Sequence, residues 1–313
     1  MASTVPVLGV PWDVTSTYRT GSHQSPMHIA SVSHQLDETH PFVSHTPIIQ
    51  WLQTPLCMVK LQQQYGPIAH RIIDTLNNNQ QLTSTDIQHR DHVNAACREL
   101  NQWVYDIAMQ HLDAPMIVCG GEHGVGLGYV RALSEHHPSF SILHIDSHMD
   151  CYQNYHGFEY SHASILTHYA SLPSVSDIVQ VGIRDYANAE TKFQSKSLTQ
   201  FHVFDDYSIH KRQFEGETWA AICQTIVNAL SDTVLISLDV DGLMPYLCPN
   251  TGTPVPGGLS YNQLVYLLHR VMLSKRVIGA ELVEVNVGSH TDWDANVGAR
   301  LLFLLAGCLN GSA

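Results

Sequence analysis

The feature that most constrains the fold of this chain is a set of short β-type runs, most of them apolar at every position rather than at alternate ones. They cover residues 7–11, 116–119, 142–145, 178–183, 202–204, 234–240 and 277–285. A strand that is apolar on both faces must be covered on both faces. Stretches with helical spacing lie between these runs, at residues 94–112, 217–230, 261–272 and 295–305, and Ser260 stands where an N-cap would open the third. Strand alternating with helix predicts parallel pairing through right-handed crossovers, hence an α/β three-layer αβα sandwich with a mainly parallel sheet. No block repeats at a fixed period, and the polar runs 62–64 and 77–81 are too short for linkers, so they read as surface turns or helix ends. One domain over residues 1–313 is expected.

In such sheets function collects beyond the carboxyl ends of the strands, so the residues immediately C-terminal to each run matter most. After 116–119 comes Gly120-Gly121-Glu122-His123; after 142–145 comes Asp146-Ser147-His148-Met149-Asp150; within 234–240 lies Ser237-Leu238-Asp239-Val240-Asp241. Residues two apart point to the same side of an extended chain, so Asp146, His148 and Asp150 can converge, as can Asp239 and Asp241. Four carboxylates and two imidazoles would then face one small volume. Carboxylates packed this closely repel one another unless cations neutralise them. A ligand set rich in carboxylate, with imidazole and no thiolate, suits hard to borderline divalent ions such as Mn²⁺, and also admits Ni²⁺, Co²⁺ or Zn²⁺.

Composition narrows the partners. The formal net charge is −13 with 21 histidines, which repels nucleic acid and anionic membranes and favours small cationic molecules. Seven cysteines are scattered without a C-x-x-C pair, which suits reduced thiols better than a disulfide frame; Cys151, beside Asp150, is read first as a packed loop thiol, with access to oxidants or metals as the alternative. The start carries no basic region followed by an apolar core, and no run of eighteen apolar residues exists, so a cytoplasmic location is expected.

In their order, these motifs resemble those of the ureohydrolases: arginase, agmatinase and the guanidino-acid hydrolases. Gly-Gly-x-His, Asp-x-His-x-Asp and Ser-x-Asp-x-Asp are followed by Asn250-Thr251-Gly252-Thr253-Pro254 and Gly257-Gly258-Leu259, and the likeness reaches back to Leu8-Gly9-Val10-Pro11 and Tyr18-Arg19-Thr20-Gly21. The resemblance implies the arginase-like fold, one ureohydrolase catalytic domain, and a dinuclear manganese site, with Ni²⁺ or Co²⁺ as substitutes. One ion would take His123, Asp146, Asp150 and Asp239, and the other His148, Asp146, Asp239 and Asp241, with a hydroxide between them as nucleophile. It also implies that Glu284, within Val283-Glu284-Val285, pairs with the substrate guanidinium, and that His162 carries a proton to the departing amine. Glu281, three residues before Glu284, would point the other way in a strand and is read as structural; His156 is read as a solvated loop residue.

Tyr152 and Asn154, and the spacing from Asp150 to His162, resemble agmatinases and guanidinobutyrase-type enzymes more than arginase. The acid that comes after Gly-x-Arg-Asp in arginase is replaced here by Tyr186 and Ala187 after Gly182-Ile183-Arg184-Asp185. The expected reaction is therefore hydrolysis of a small guanidino compound to urea and an amine, agmatine to putrescine first. Guanidinobutyrate or guanidinopropionate hydrolysis and arginase activity are the alternatives; a noncatalytic arginase-like subunit and an unrelated dinuclear hydrolase on a barrel are the readings of other classes. The family resemblance implies a homotrimer or homohexamer. Three departures stand out: Met244 where the family has a third aspartate, Gly124 after His123, and Ala163-Ser164 after His162.

Overall fold

The computed structural model describes residues 4–310 except 38, 42, 44, 45, 289 and 290. Eight strands form one sheet: β1 (Thr4–Val10), β2 (Ile48–Leu52), β3 (Ile117–Gly120), β4 (Phe140–Ile145), β5 (Val175–Val181), β6 (Gln200–Phe204), β7 (Thr233–Asp239) and β8 (Arg276–Val283). Their order is β2-β1-β3-β8-β7-β4-β5-β6, and every registered pair is parallel. Among the described residues nine α-helices lie in the connections between strands, α1 (Ser25–Val32), α2 (Leu56–Asn77), α3 (Ser84–Gln110), α4 (Leu127–His136), α5 (Ile165–Tyr169), α6 (Asn188–Gln194), α7 (Asp206–Phe214), α8 (Trp219–Asn228) and α9 (Tyr261–Ser274), and a tenth, α10 (Trp293–Asn310), follows β8.

Alternate residues of the central strands feed two separate cores. Leu143 and Ile145 of β4 pack with α8, α9 and α10, whereas Phe140 and Ile142 pack with α2, α3 and α4. Both faces of each strand are therefore buried, which is why the runs read as continuously apolar. Helix starts are chemically marked: Ser260 and Gln263 form a capping box at α9, and Thr83 and Asp86 form one at α3.

Two expectations are corrected. Residues 62–64 are not a surface turn but lie inside α2, where the buried Gln62 accepts a hydrogen bond from Asp13 N at 2.9 Å. Glutamine is a good helix former, and its polarity here serves a buried partner instead of solvent. The last run ends as a strand at Val283, not residue 285, because Glu284 adopts φ = 62°. The edge strand β2, half-exposed, lacks the continuous burial of the central strands, and no run stands out there; the other edge strand, β6, is equally exposed and stands out only over 202–204.

Candidate metal centre and active-site cavity

The strand order sets the site. β8 lies between β3 and β7, and β4 flanks β7, so the carboxyl ends of these strands open side by side. From β3 the chain enters a short 3₁₀ turn, His123–Gly126; from β7 it enters another, Val240–Gly242, carrying Asp241; Asp146, His148 and Asp150 come directly after β4. Glu284 emerges from β8 between them.

His123 Nδ1 stands 3.0 Å from Asp150 Oδ2, 3.2 Å from Asp146 Oδ2 and 3.6 Å from Asp239 Oδ2. His148 Nδ1 stands 3.1 Å from Asp241 Oδ2 and 3.5 Å from Asp146 Oδ1. Two groups of potential ligand atoms result, His123–His144–Asp146–Asp150 and Asp146–His148–Asp241, with all atoms of each within 4.8 Å of one another. Asp146 belongs to both. Asp239 borders the first group, and its Oδ1 accepts from Asp241 N at 2.8 Å.

Buried His123 Nδ1, His144 Nε2 and Asp146 Oδ2 lack hydrogen-bond partners. Unsatisfied polar atoms this deep are costly, and three converging in one place call for a cation. The donors are oxygen and imidazole nitrogen without thiolate, which fits divalent ions of the Mn²⁺, Co²⁺ and Ni²⁺ kind.

The electrostatics are those of a carboxylate cluster short of positive charge. Burial, then the charges of Asp241 and Asp146, hold Asp239 well above the ordinary carboxylate range. Burial followed by the charge of Asp146 raises Asp150. Burial also works to raise Asp146, but the charge of His144 and the close approach of the His123, His144 and His148 rings outweigh it and hold it well below the ordinary range. Glu284 is pushed up to about 8 by burial and by Asp241, although His123 N donates to its Oε1 at 3.0 Å.

Two non-glycine residues of this centre occupy the left-handed region: Asp150 at φ = 52° and Glu284 at φ = 62°. Leu166 N donates to Asp150 O at 3.0 Å; Glu284 N donates to Gly121 O at 2.7 Å, and Thr251 Oγ1 donates to Glu284 O at 2.9 Å. Behind His123, Nε2 meets Ser237 Oγ at 2.8 Å, Ser237 Oγ donates to Glu281 Oε2 at 2.9 Å, and Tyr169 OH donates to Glu281 Oε1 at 2.8 Å. Because the serine spends its proton on Glu281, its oxygen accepts from the imidazole and leaves the Nδ1 lone pair facing the carboxylates. Glu281 thus points beneath His123 while Glu284 binds its backbone.

A cavity of about 640 Å³ opens over the centre, lined among others by His148, Asp150, Tyr152, Tyr155, His162 and Asp185. Tyr152 faces this cavity. Asn154 does not: it lines an adjoining pocket with Lys192 and Lys196, because the chain doubles back through the Tyr155–Phe158 bridge. His162 lies on the cavity wall, and burial, then the charges of His148 and His123, push it down to about 3, below the near-neutral value expected of a proton relay. Cys151 is buried, as expected of a packed loop thiol.

Sequence reasoning passed over Glu122 and His144. Glu122 sits in the Gly-Gly-x-His motif itself; it accepts from Thr15 N at 2.8 Å and Thr15 Oγ1 at 2.9 Å, and that hydroxyl accepts from His162 N at 3.3 Å. His144 was legible by alternation, two residues before Asp146.

Comparison with known proteins places this architecture. The sequence model described as "Arginase family" matches residues 3–307. The chain belongs to the arginase family. An N(1)-aminopropylagmatine ureohydrolase of Thermus thermophilus is 37% identical over 190 residues, covering 60% of this chain and 61% of that protein, so the match spans less than two thirds of the relative's length. An agmatinase of Bacillus subtilis is 25% identical over 296 residues, covering 94% of this chain and 88% of that one. Among solved structures, agmatine ureohydrolase of Thermoplasma volcanium shares the fold with a TM-score of 0.71 at 19% identity, covering 99% of this chain and 90% of that chain. Proclavaminate amidino hydrolase of Streptomyces clavuligerus does so with a TM-score of 0.73 at 18% identity, covering 100% and 93%.

Against the arginase family pattern, the Met244 departure has a structural answer. Met244 N donates to Leu259 O at 2.9 Å, and Arg184 donates to the carbonyls of Gly182, Asp241, Leu243, Val255 and Pro256. The loop after β7 is held through its main chain, without a carboxylate at 244. At Gly124 an added Cβ would sit 3.0 Å from Tyr160 O and 3.4 Å from Glu122 Oε1, so the space a serine would fill is already narrowed.

Proposed function

We propose that this protein is a metal-dependent ureohydrolase that cleaves the guanidino group of a small cationic guanidine to urea and an amine, with agmatine giving putrescine as the first reading. One observation carries it: the buried, unpartnered ligand atoms of His123, His144 and Asp146 converge beneath an open cavity, beside Glu284. The names borne by the Thermus and Bacillus relatives support the same chemistry.

His123, Asp146, His148, Asp150, Asp239 and Asp241 would hold two divalent cations, for which we propose Mn²⁺, with Ni²⁺ or Co²⁺ as substitutes. When bound, such a pair supplies a Lewis acid and an activated water at neutral pH. The remaining work belongs to the chain. Glu284, buried and fixed by His123 N and Thr251, presents a carboxylate matched to the planar N–H fork of a guanidinium; a cationic substrate also relieves the repulsion that keeps Glu284 protonated. Asp150 would take part in catalysis through the same anionic face. Tyr152 and Tyr155 wall the cavity and limit water around the substrate stem. His162, held neutral by burial, has an acceptor free for a proton, and once protonated is a strong acid toward the leaving amine.

Agmatine carrying an aminopropyl group is the second reading, supported by the size and acidic lining of the cavity and by the name of the Thermus relative. We further propose one catalytic unit over residues 1–313, supported by the single sheet and the family match; a cytoplasmic site, supported by seven free cysteines; and assembly as a homotrimer or homohexamer, supported by the family alone. No helix of the described residues is long and apolar enough to cross a membrane.

The decisive experiment offers Mn²⁺-loaded protein agmatine, N(1)-aminopropylagmatine, arginine, guanidinobutyrate and guanidinopropionate separately and measures urea. Release from agmatine or its aminopropyl derivative is expected. Release from arginine or a guanidino acid alone would overturn the choice of substrate, and no release from a protein holding two ions would overturn the reaction.

A further inference from the structure

We infer that the cavity at the amino ends of β3 and β8, at the opposite end of the sheet from the metal centre, binds a small phosphate-bearing anion among Arg276, His111, His136 and His137. The inference is independent of the proposed ureohydrolase reaction.

The cavity has a volume of about 240 Å³, room for about eight waters at ~30 Å³ each, and hence for a phosphate group with a short organic body. Three chain segments distant in sequence bring their nitrogens to it. His111 is the C-cap of α3, His136 ends α4 and His137 caps it, and Arg276 opens β8. Tyr129, Leu133 and Ile278 complete the lining from the core, and the hydroxyl of Tyr129 is spent on Met116 O at 2.9 Å.

The charge there is one-sided. The chain has 28 acidic side chains against 15 basic ones, yet among the described residues the guanidinium of Arg276 makes no hydrogen bond or ion pair. Imidazoles at helix ends commonly bond to the last free carbonyls; among the described residues none of these three does. The rings of His136 and His137 meet edge to face with centroids 4.9 Å apart, and burial, then the charges of His136 and Arg276, lower His137 from its ordinary value. Asp113 is the one acidic side chain on the lining among the described residues, and it pairs with none of the four.

The donors select the ligand. A divalent cation does not fit: among the described residues, the groups of three or more ligand atoms within 4.8 Å of one another lie at the catalytic centre, and here a guanidinium would repel the ion. An oxyanion meets the opposite situation. The planar fork of Arg276 can take two oxygens, the imidazole N–H groups take others, and the negative charge relieves the repulsion on His137. Donors arriving from three segments suit the several oxygens of a phosphate better than the two of a carboxylate. An anion so held links the ends of α3 and α4 to the start of β8, away from the catalytic cavity.

The test titrates the full-length protein calorimetrically with glycerol phosphate, inorganic phosphate, succinate and glycerol. Saturable binding of one phosphate compound per chain is expected, tighter than that of succinate or glycerol. Glycerol phosphate binding the more tightly identifies an ester as the ligand, and the reverse identifies free phosphate. Arg276→Gln and His136→Gln, both at exposed side chains, should each raise the Kd about 10-fold, the scale of a lost hydrogen bond to a charged group, and leave urea release from agmatine at the wild-type rate. No saturable binding by the wild type, unchanged affinity in the variants, or succinate binding more tightly than phosphate overturns the inference. Phosphate binding that survives both variants and inhibits urea release belongs to the catalytic centre and overturns it too, as does a loss of bound divalent ions in His136→Gln, which would make the imidazoles metal ligands. If Arg276→Gln does not fold, His136→Gln decides. A wild type that releases no urea sinks the proposed hydrolase, and the titration still judges this site separately.

Discussion

Asp146 is the side chain on which both halves of the centre depend, since its two oxygens face His123 and His148 separately. Asp146→Asn keeps the shape but removes the charge that offsets cations on both sides, so we predict loss of detectable urea release and of one or both bound ions, measured by turnover and metal analysis on the same samples. Wild-type turnover after Mn²⁺ reconstitution would refute it. His162 presents the opposite case, because it lies on the cavity wall and bonds to the protein chiefly through its backbone N–H to Thr15. His162→Asn should leave ion stoichiometry intact and lower kcat by roughly 10²- to 10⁴-fold, the range for a lost proton-transfer group. A variant that loses metal together with activity would make His162 structural instead.

At the scale of elements, the site depends on a close approach that only one residue type allows. The turn His123–Gly126 passes so near β8 and α5 that a Cβ on Gly126 would fall 2.1 Å from Glu281 Oε1 and 2.2 Å from Tyr169 OH. Gly126→Ala must displace the pair that steadies Ser237 and, through it, His123. We predict a stability loss of about 1–3 kcal/mol, as for other overpacked sites, together with weaker Mn²⁺ binding, checked by denaturant unfolding and calorimetry. A stable variant with wild-type Mn²⁺ affinity would show that the turn tolerates the methyl. This level also explains what the sequence disclosed. Strands buried on both faces announce themselves as unbroken apolar runs, and the ligands at their carboxyl ends stand in plain order. The roles of Gln62 and Glu122 stayed hidden because each is a polar residue whose partner is distant in sequence, Asp13 and Thr15, whereas His144 shares the alternation of Asp146. Asn154 was misplaced because the reversal at residues 155–158, with positive φ at His156 and Gly157, leaves no periodic trace.

For the whole molecule, the cluster couples cation binding to stability and to pH. Folding raises Glu284 to about 8 from 4.5; burial and neighbouring charges raise Asp239, and against its own burial His123 is raised by the adjacent carboxylates of Asp146 and Asp150. A group raised by folding holds a proton that the unfolded chain has released. Its contribution is complete below the unfolded value and disappears as pH climbs through the folded one. For Glu284 that window runs from 4.5 to about 8, and for His123 it opens at 6.5. Asp146 has the opposite sign, being held below 3.8, but its contribution is already complete above that value and is constant across this window. Metal-free protein should therefore melt lower at pH 8.5 than at pH 6. We expect a drop of a few degrees, since 1 kcal/mol moves the melting temperature by ~2–4 °C in domains of 150–250 residues and by less in a longer chain. Bound cations replace those protons, so the Mn²⁺-saturated protein should melt higher at both values and lose most of the pH dependence. Scanning calorimetry of chelator-treated and Mn²⁺-loaded samples at the two pH values checks this. Equal melting temperatures with and without metal at pH 8.5 would mean that the four carboxylates are neutralised by something other than cations.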